Sequence, residues 1–309
     1  MSGVLVTGAL GAVGTALLEE LGARGTDVVA TDMRAPKHLP DGMRFMPMDV
    51  RGEDVARVIG EVRPDVVVHL ASIIGQTSRE FAYSVDVVGS RNVIEACVEY
   101  GVRRLVVTSS GAAYGYHPDN PVPLCESDPV RGNVEFAYSD HKRQVEEMLA
   151  RTRDKHPALE QVVLRVGTVL GAGLENQITA LFHKPRLLGL IGNESPFVFV
   201  WTRDLARILS RAVGDGPAGI YNVAGDGVMG LSDLAKALNK PILRLPAWGV
   251  KLALGVGRPL GLARYGPEQV RFLQYRPVLD NSALKAEFGY VPELSSAEVF
   301  DLWRKAAGL

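Results

Sequence analysis

Thr7-Gly8-Ala9-Leu10-Gly11-Ala12-Val13-Gly14 follows the β-branched run Val4-Leu5-Val6 and opens an apolar-periodic stretch over residues 12–21. Between a strand and a helix, a glycine trio has a specific use. Gly8 permits the tight turn, Gly11 lets the backbone come close to a pyrophosphate, and Gly14 lets the helix lie against the sheet. The amides of Leu10, Gly11, Ala12 and Val13, at a helix N-terminus, then suit phosphate groups.

The same alternation continues outward from this turn. Residues 28–31, 45–48, 66–70, 105–109 and 162–166 read as strands, and residues 55–59, 89–100 and 137–150 as helices between them. The runs at 66 and 105 are almost continuously apolar, as in strands covered on both faces. The pattern predicts an α/β fold, a Rossmann doubly wound parallel sheet. After Gly167 the regularity fades into segments such as Gly171-Ala172-Gly173 and Gly214-Asp215-Gly216-Pro217. This predicts a mainly dinucleotide-binding unit over 1–166 and a smaller, discontinuous substrate-binding region over 167–309, some of whose segments return to the sheet. Within it, Ser232-Asp233 reads as the capped start of a helix over 234–238, and 280–288 as a short helix stopped by Gly289.

Composition narrows the partners. The chain has 309 residues, 47% hydrophobic and 22% charged, enough to bury a full core. A net charge of -1 offers no basic field for a nucleic-acid backbone. Cys97 and Cys125 fall in no ligand spacing, so neither a disulfide scaffold nor a metal site is expected, and a reducing cytoplasm fits. No leader pattern precedes the first strand, and neither a membrane span nor a membrane partner is expected. The most apolar stretch, 247–263, is broken by Lys251, Arg258 and several glycines and reads as a substrate-side helix pair.

Asp32, at the end of the second strand, lies at the right separation from the glycines for a carboxylate that binds both adenosine ribose hydroxyls. It would repel a 2′-phosphate, so NAD is expected over NADP, with Met33 and Arg34 beside it. Asp49 and Val50 are placed near the adenine, and Leu70, Ala71 and Ser72 along the dinucleotide. His69 reads as a buried structural histidine. Tyr138 and Lys142 are four apart on a helix, so they share a face. The ammonium favours the phenolate, which makes Tyr138 a competent acid or base. Ser110, just past a buried strand, can donate to a substrate oxygen.

Thr7 to Gly14, Ser109-Ser110-Gly111-Ala112-Ala113-Tyr114-Gly115 and the Tyr138 to Lys142 motif together resemble the extended short-chain dehydrogenase/reductase family of the NAD-dependent epimerase/dehydratase type, over nearly the whole chain. The resemblance implies that Tyr138 exchanges the proton, Lys142 also binds the nicotinamide ribose, and Ser110 orients the reacting oxygen. It also implies a substrate pocket that includes Gly111 and Asn176, and a homodimer through the helices at 89–100 and 137–150. Three departures stand out. Asp86 occupies a position where the family has Asn, the Leu164 to Gly171 segment lacks the family's Phe-Asn, and Gly111-Ala112 replace a dehydratase's Asp-Glu. His183, Lys184 and Arg186 offer an anion-binding cluster. The expected activity is hydride transfer at a secondary alcohol of a carbohydrate or nucleotide sugar, as in epimerisation. A simple dehydrogenase or reductase of another alcohol or ketone, and a non-catalytic NAD-sensing interaction protein, remain open.

Overall fold

The computed structural model describes residues 3–75, 77–261 and 266–309. Seven parallel strands form the central sheet. The strands β1 (Val4–Thr7), β2 (Val28–Asp32), β3 (Arg44–Pro47), β4 (Val66–His69), β5 (Arg104–Ser110) and β6 (Glu160–Val166) are joined at the far edge by Gly219–Val223. The spatial order runs from Gly219–Val223 through β6, β5, β4, β1 and β2 to β3.

Side-chain alternation explains why both faces are covered. Val4, Val6, Val66, Val68, Val106, Val162 and Leu164 enter one core, with Leu17, Leu18 and Leu21 of the helix Ala12–Ala23 and Leu205 and Leu209 of Thr202–Val213. Leu5, Val67, Leu105, Val107 and Val163 point the other way, onto Asp54–Val62, Ser90–Glu99 and Ala137–Lys155. The chain order reverses at β1, between β2 and β4. Ligands of open α/β sheets bind in the crevice at such a switch point, beyond the carboxyl ends of the strands. Thr7, Asp32, His69 and Ser110 all end strands there.

Local readings shift in informative ways. Strand β3 runs one residue earlier than the pattern suggests. The helix expected over 89–100 begins as a π-helical turn, Ser84–Gly89, before Ser90–Glu99, and this wide turn carries Asp86. The helix Leu231–Leu238 is capped at Gly230; Asp233 lies inside it and accepts from Gly230 N at 2.9 Å. The helix expected over 280–288 is confined to Ser282–Ala286, because the Asp280 carboxylate takes the Ser282 N–H at 2.7 Å in a preceding turn. Of the 247–263 stretch, Ala247–Gly257 is one helix, and Leu262 and Ala263 lie outside the described residues. Among the described residues no helix is long and apolar enough to cross a membrane.

Candidate cofactor and catalytic site

The glycine turn is tight where the sequence requires it. Gly8 has φ of 65°, and a Cβ there would lie 2.7 Å from the backbone nitrogen of Ala71. A Cβ on Gly14 would lie 2.5 Å from the carbonyl oxygens of both Gly8 and Ala9. We expect Gly14→Ala to cost about 1–3 kcal/mol of stability through overpacking and to weaken NAD binding, measured by denaturant unfolding and cofactor titration; wild-type values for both would refute the close-approach role.

Asp32 closes this turn from the second strand. Its Oδ2 accepts from Leu10 N at 3.2 Å, and its Oδ1 accepts from Arg34 N at 3.1 Å. The Arg34 side chain folds back on the same carboxylate and donates to the Leu10 carbonyl at 3.2 Å, while Met33 projects outward. Gly11, Ala12 and Val13 begin the first helix directly behind. Asp49 is gripped by Arg51, whose Nε and Nη2 approach its oxygens at 2.6–3.0 Å. That hydrogen bonding holds the Asp49 carboxyl below its ordinary value. Val50 is buried, and its carbonyl accepts from Asn92.

Leu70, Ala71 and Ser72 leave β4 over a buried polar chain. His69 is fully enclosed, with Nδ1 2.7 Å from Thr7 Oγ1 and Nε2 2.9 Å from Ser90 Oγ. Ser90 spends its proton on the Asp86 carbonyl, so it accepts from His69 Nε2–H, and Nδ1 accepts from Thr7. Burial, reinforced by the charge of Lys142 and partly opposed by Asp86, pushes His69 down to about 3. A base with a lower pKa when folded than when unfolded is protonated first in the unfolded chain. Its contribution is therefore complete above about pH 6.5 and declines as pH falls toward 3. We expect stability to drop by roughly 2 kcal/mol between pH 7 and pH 5 from this group. His69→Gln flattens that slope in urea titrations; an unchanged slope would refute the assignment.

Asp86 is the centre of a second buried cluster. Its Oδ1 accepts from Ser72 Oγ at 2.9 Å and Ile73 N at 2.8 Å, and its Oδ2 lies 3.1 Å from His141 Nδ1. Burial pushes the carboxyl up, but His141, the charge of Lys142, the Ile73 amide and the Ser72 hydroxyl together hold it below its ordinary value. An Asn could not accept in this way at both positions, and the replacement pins the loop after β4 to the Ala137–Lys155 helix. His141 was not singled out by sequence; it lies 55 residues from its partner.

The same helix presents Tyr138 and Lys142. Lys142 Nζ donates to the Thr108 carbonyl of β5 at 2.9 Å and stands 5.6 Å from the centre of the Tyr138 ring. Ser110, two residues along β5, accepts from Ala112 N at 3.2 Å, and Gly111 starts the short turn Gly111–Tyr114. Ser139 Oγ donates to the Ala112 carbonyl at 2.6 Å and locks this turn to the helix. The Tyr116 ring packs edge-on against Phe136 (5.0 Å) and Phe272 (5.4 Å). Arg276 is half-buried over the rings of Phe197 (3.9 Å) and Phe272 (4.8 Å), and its Nη1 donates to the Ser195 carbonyl. Its Nε has no partner, and no carboxylate pairs with it among the described residues. Asn176 caps the helix Gln177–Phe182, its side-chain oxygen accepting from Ile178 N and Thr179 N. Lys184 and Arg186 are exposed.

Residues 4–224 match the model of the NAD dependent epimerase/dehydratase family. The chain belongs to that family. Its cofactor is accordingly NAD, and the close-approach glycines and the Asp32 carboxylate fit the dinucleotide. An uncharacterised protein of Mycobacterium tuberculosis is 26% identical over 318 residues, covering 99% of this chain and 84% of that one. The sterol-4-alpha-carboxylate 3-dehydrogenase (decarboxylating) of Schizosaccharomyces pombe is 25% identical over 221 residues, covering 68% of this chain and 64% of the yeast protein. Among solved structures, the UDP-glucose 4-epimerase of Thermus thermophilus in complex with NAD superposes with a TM-score of 0.75 at 27% identity, covering 98% of both chains.

Proposed function

We propose that this family member is an epimerase-like oxidoreductase acting by hydride transfer at a secondary alcohol of a carbohydrate or nucleotide sugar. NAD, held by the glycine turn and Asp32, would supply a reversible hydride acceptor. Tyr138 takes the hydroxyl proton, Ser110 donates to the developing carbonyl oxygen, and Lys142, fixed by the Thr108 carbonyl, keeps its charge beside the phenol ring. In epimerisation the ketone turns before Tyr138 gives the proton back. Asp32 accepts from the adenosine ribose and disfavours a 2′-phosphate. The outer faces of Ser90–Glu99 and Ala137–Lys155, with Ile94 and Met148 in the groove between them, form a homodimer surface in this reading; a monomeric mass in solution would overturn it.

Arg276 carries the choice of substrate class. A half-buried guanidinium whose enclosed Nε has no partner, and which has no carboxylate beside it among the described residues, suits an anion. Burial pushes it down to about 9, a cost that a phosphate oxygen would offset. Tyr116 packs against Phe272, the ring under Arg276, which supports reading the anion as part of the substrate. We expect Arg276→Gln to raise KM for a nucleotide-diphosphate sugar by about 30-fold or more, with kcat changed only a few-fold. The test is a panel of such sugars with product analysis for epimers. Net NADH formation from a free alcohol, with no epimer from any nucleotide sugar, would overturn this reading. It would favour the second, a simple dehydrogenase of a non-nucleotide alcohol, which draws support from Asn176 spending its oxygen on a helix cap.

A further inference from the structure

The helix Ala247–Gly257 packs inward through Val250 and Leu254, against Leu190, Leu245 and Val270. Its other face is apolar and exposed among the described residues. Trp248 is 72% exposed, Leu252 62% and Val256 55%, one turn apart each, and Leu260 follows at 65%. The helix sits over a two-stranded sheet, Leu187–Leu190 with Ile242–Leu245. Leu188 and Leu243 are register partners on the sheet face that Leu190 and Leu245 share, and both are exposed. The apolar surface therefore continues from helix to sheet. Large exposed apolar patches mark an interaction site.

The surrounding charge identifies the partner. Residues 183–193 and 240–261 contain Lys184, Arg186, Lys240, Arg244, Lys251 and Arg258, and no Asp or Glu, in a chain whose net charge is -1. Glu194 pairs with Arg244, and Glu268 lies 3.7 Å from Arg258. Lys240 donates to the Phe182 carbonyl. Lys184, Arg186 and Lys251 make no ion pair among the described residues and are exposed. A projecting Trp and leucines with unpaired cations beside them match the interface of an anionic bilayer, where apolar side chains enter the acyl boundary and cations meet the headgroups. A second copy of this surface would bring like charges together, and a neutral protein partner would leave them unused.

We propose that this face, formed by Ala247–Gly257 and the two-stranded sheet beside it, docks the protein on membranes rich in anionic phospholipid. The test uses the full chain loaded with NAD, sedimented with vesicles of pure phosphatidylcholine or of phosphatidylcholine mixed with phosphatidylglycerol. Binding is expected only to the mixed vesicles, and it weakens with added salt. Brominated phosphatidylcholine in the mixed vesicles quenches the Trp248 emission. Lys184→Ala combined with Arg186→Ala lowers the partition coefficient about 30-fold, from about 1 kcal/mol per cation. Leu252→Asp abolishes binding while NAD affinity stays at the wild-type value, which reports an intact fold. Absence of vesicle binding by the wild type overturns the proposal. So does equal binding to both vesicle types, or a dimer in solution that Leu252→Asp converts to monomer, since a second copy would then cover the face.

Discussion

Tyr138→Phe is expected to lower kcat by about 10²–10⁴, the usual worth of a positioned acid or base, while leaving NAD affinity and unfolding midpoint near wild type. The structure makes this a clean substitution. Tyr138 is half-buried, and its hydroxyl makes no hydrogen bond among the described residues, so removing the oxygen leaves no stranded partner. Ser110 is poised in the same way: its oxygen accepts from Ala112 N, and its proton has no acceptor among the described residues. Two hydroxyls with free capacity at the carboxyl edge of the sheet are what a reacting alcohol needs. The measurement is single-turnover change in nicotinamide absorbance on mixing with a nucleotide sugar, alongside steady-state epimer formation. Undiminished turnover would exclude Tyr138 as the proton carrier. Turnover absent from both proteins, with NAD bound tightly, would instead favour a non-catalytic NAD-sensing role.

The sheet was legible because its strands are short β-branched runs whose alternate residues fill opposite cores, and the glycine turn was legible because its steric demands are local. Gly8 and Gly14 face backbone atoms that no larger residue could approach. What local pattern could not show was pairing across distance. Asp86 and His141 lie 55 residues apart, and nothing in either neighbourhood announces the other. Arg276 stands in an irregular stretch with no periodicity, and its interest comes from an enclosed, unpartnered Nε with no carboxylate beside it among the described residues. Asp49 and Arg51 are two residues apart, so their pairing was within reach of the sequence and removes part of the acceptor capacity expected to face the adenine. The apolar stretch from 247 showed which residues share a helix face, but periodicity alone did not tell which face the protein covers.

Glu146→Ala is expected to destabilise the protein by about 3–5 kcal/mol, the cost of leaving a buried charge without its partner. Glu146 and Arg165 are both almost fully enclosed, and Arg165 holds the carboxylate through Nε at 3.0 Å and Nη2 at 2.7 Å. Burial pulls the Arg165 guanidinium down, and Glu146 and Tyr114 together more than offset it. The remaining Arg165 nitrogen donates to Tyr114 Oη at 2.8 Å and to the Glu126 carbonyl at 2.9 Å, while Tyr114 reaches Asn222 on the edge strand Gly219–Val223. One pair thus joins the helix Ala137–Lys155, β6, the turn after β5 and the edge of the sheet. Replacing both charges, as Glu146→Leu with Arg165→Met, should recover part of the loss, because two apolar groups leave nothing unpaired. Ser109 donates to Glu146 at 2.5 Å and is the residue before Ser110, so kcat should fall in Glu146→Ala even where the protein is fully folded. Urea unfolding of the two single variants and the double variant gives the coupling energy. A loss below about 1 kcal/mol in Glu146→Ala would mean that water reaches Arg165, and the network would then be no constraint on where Ser110 stands.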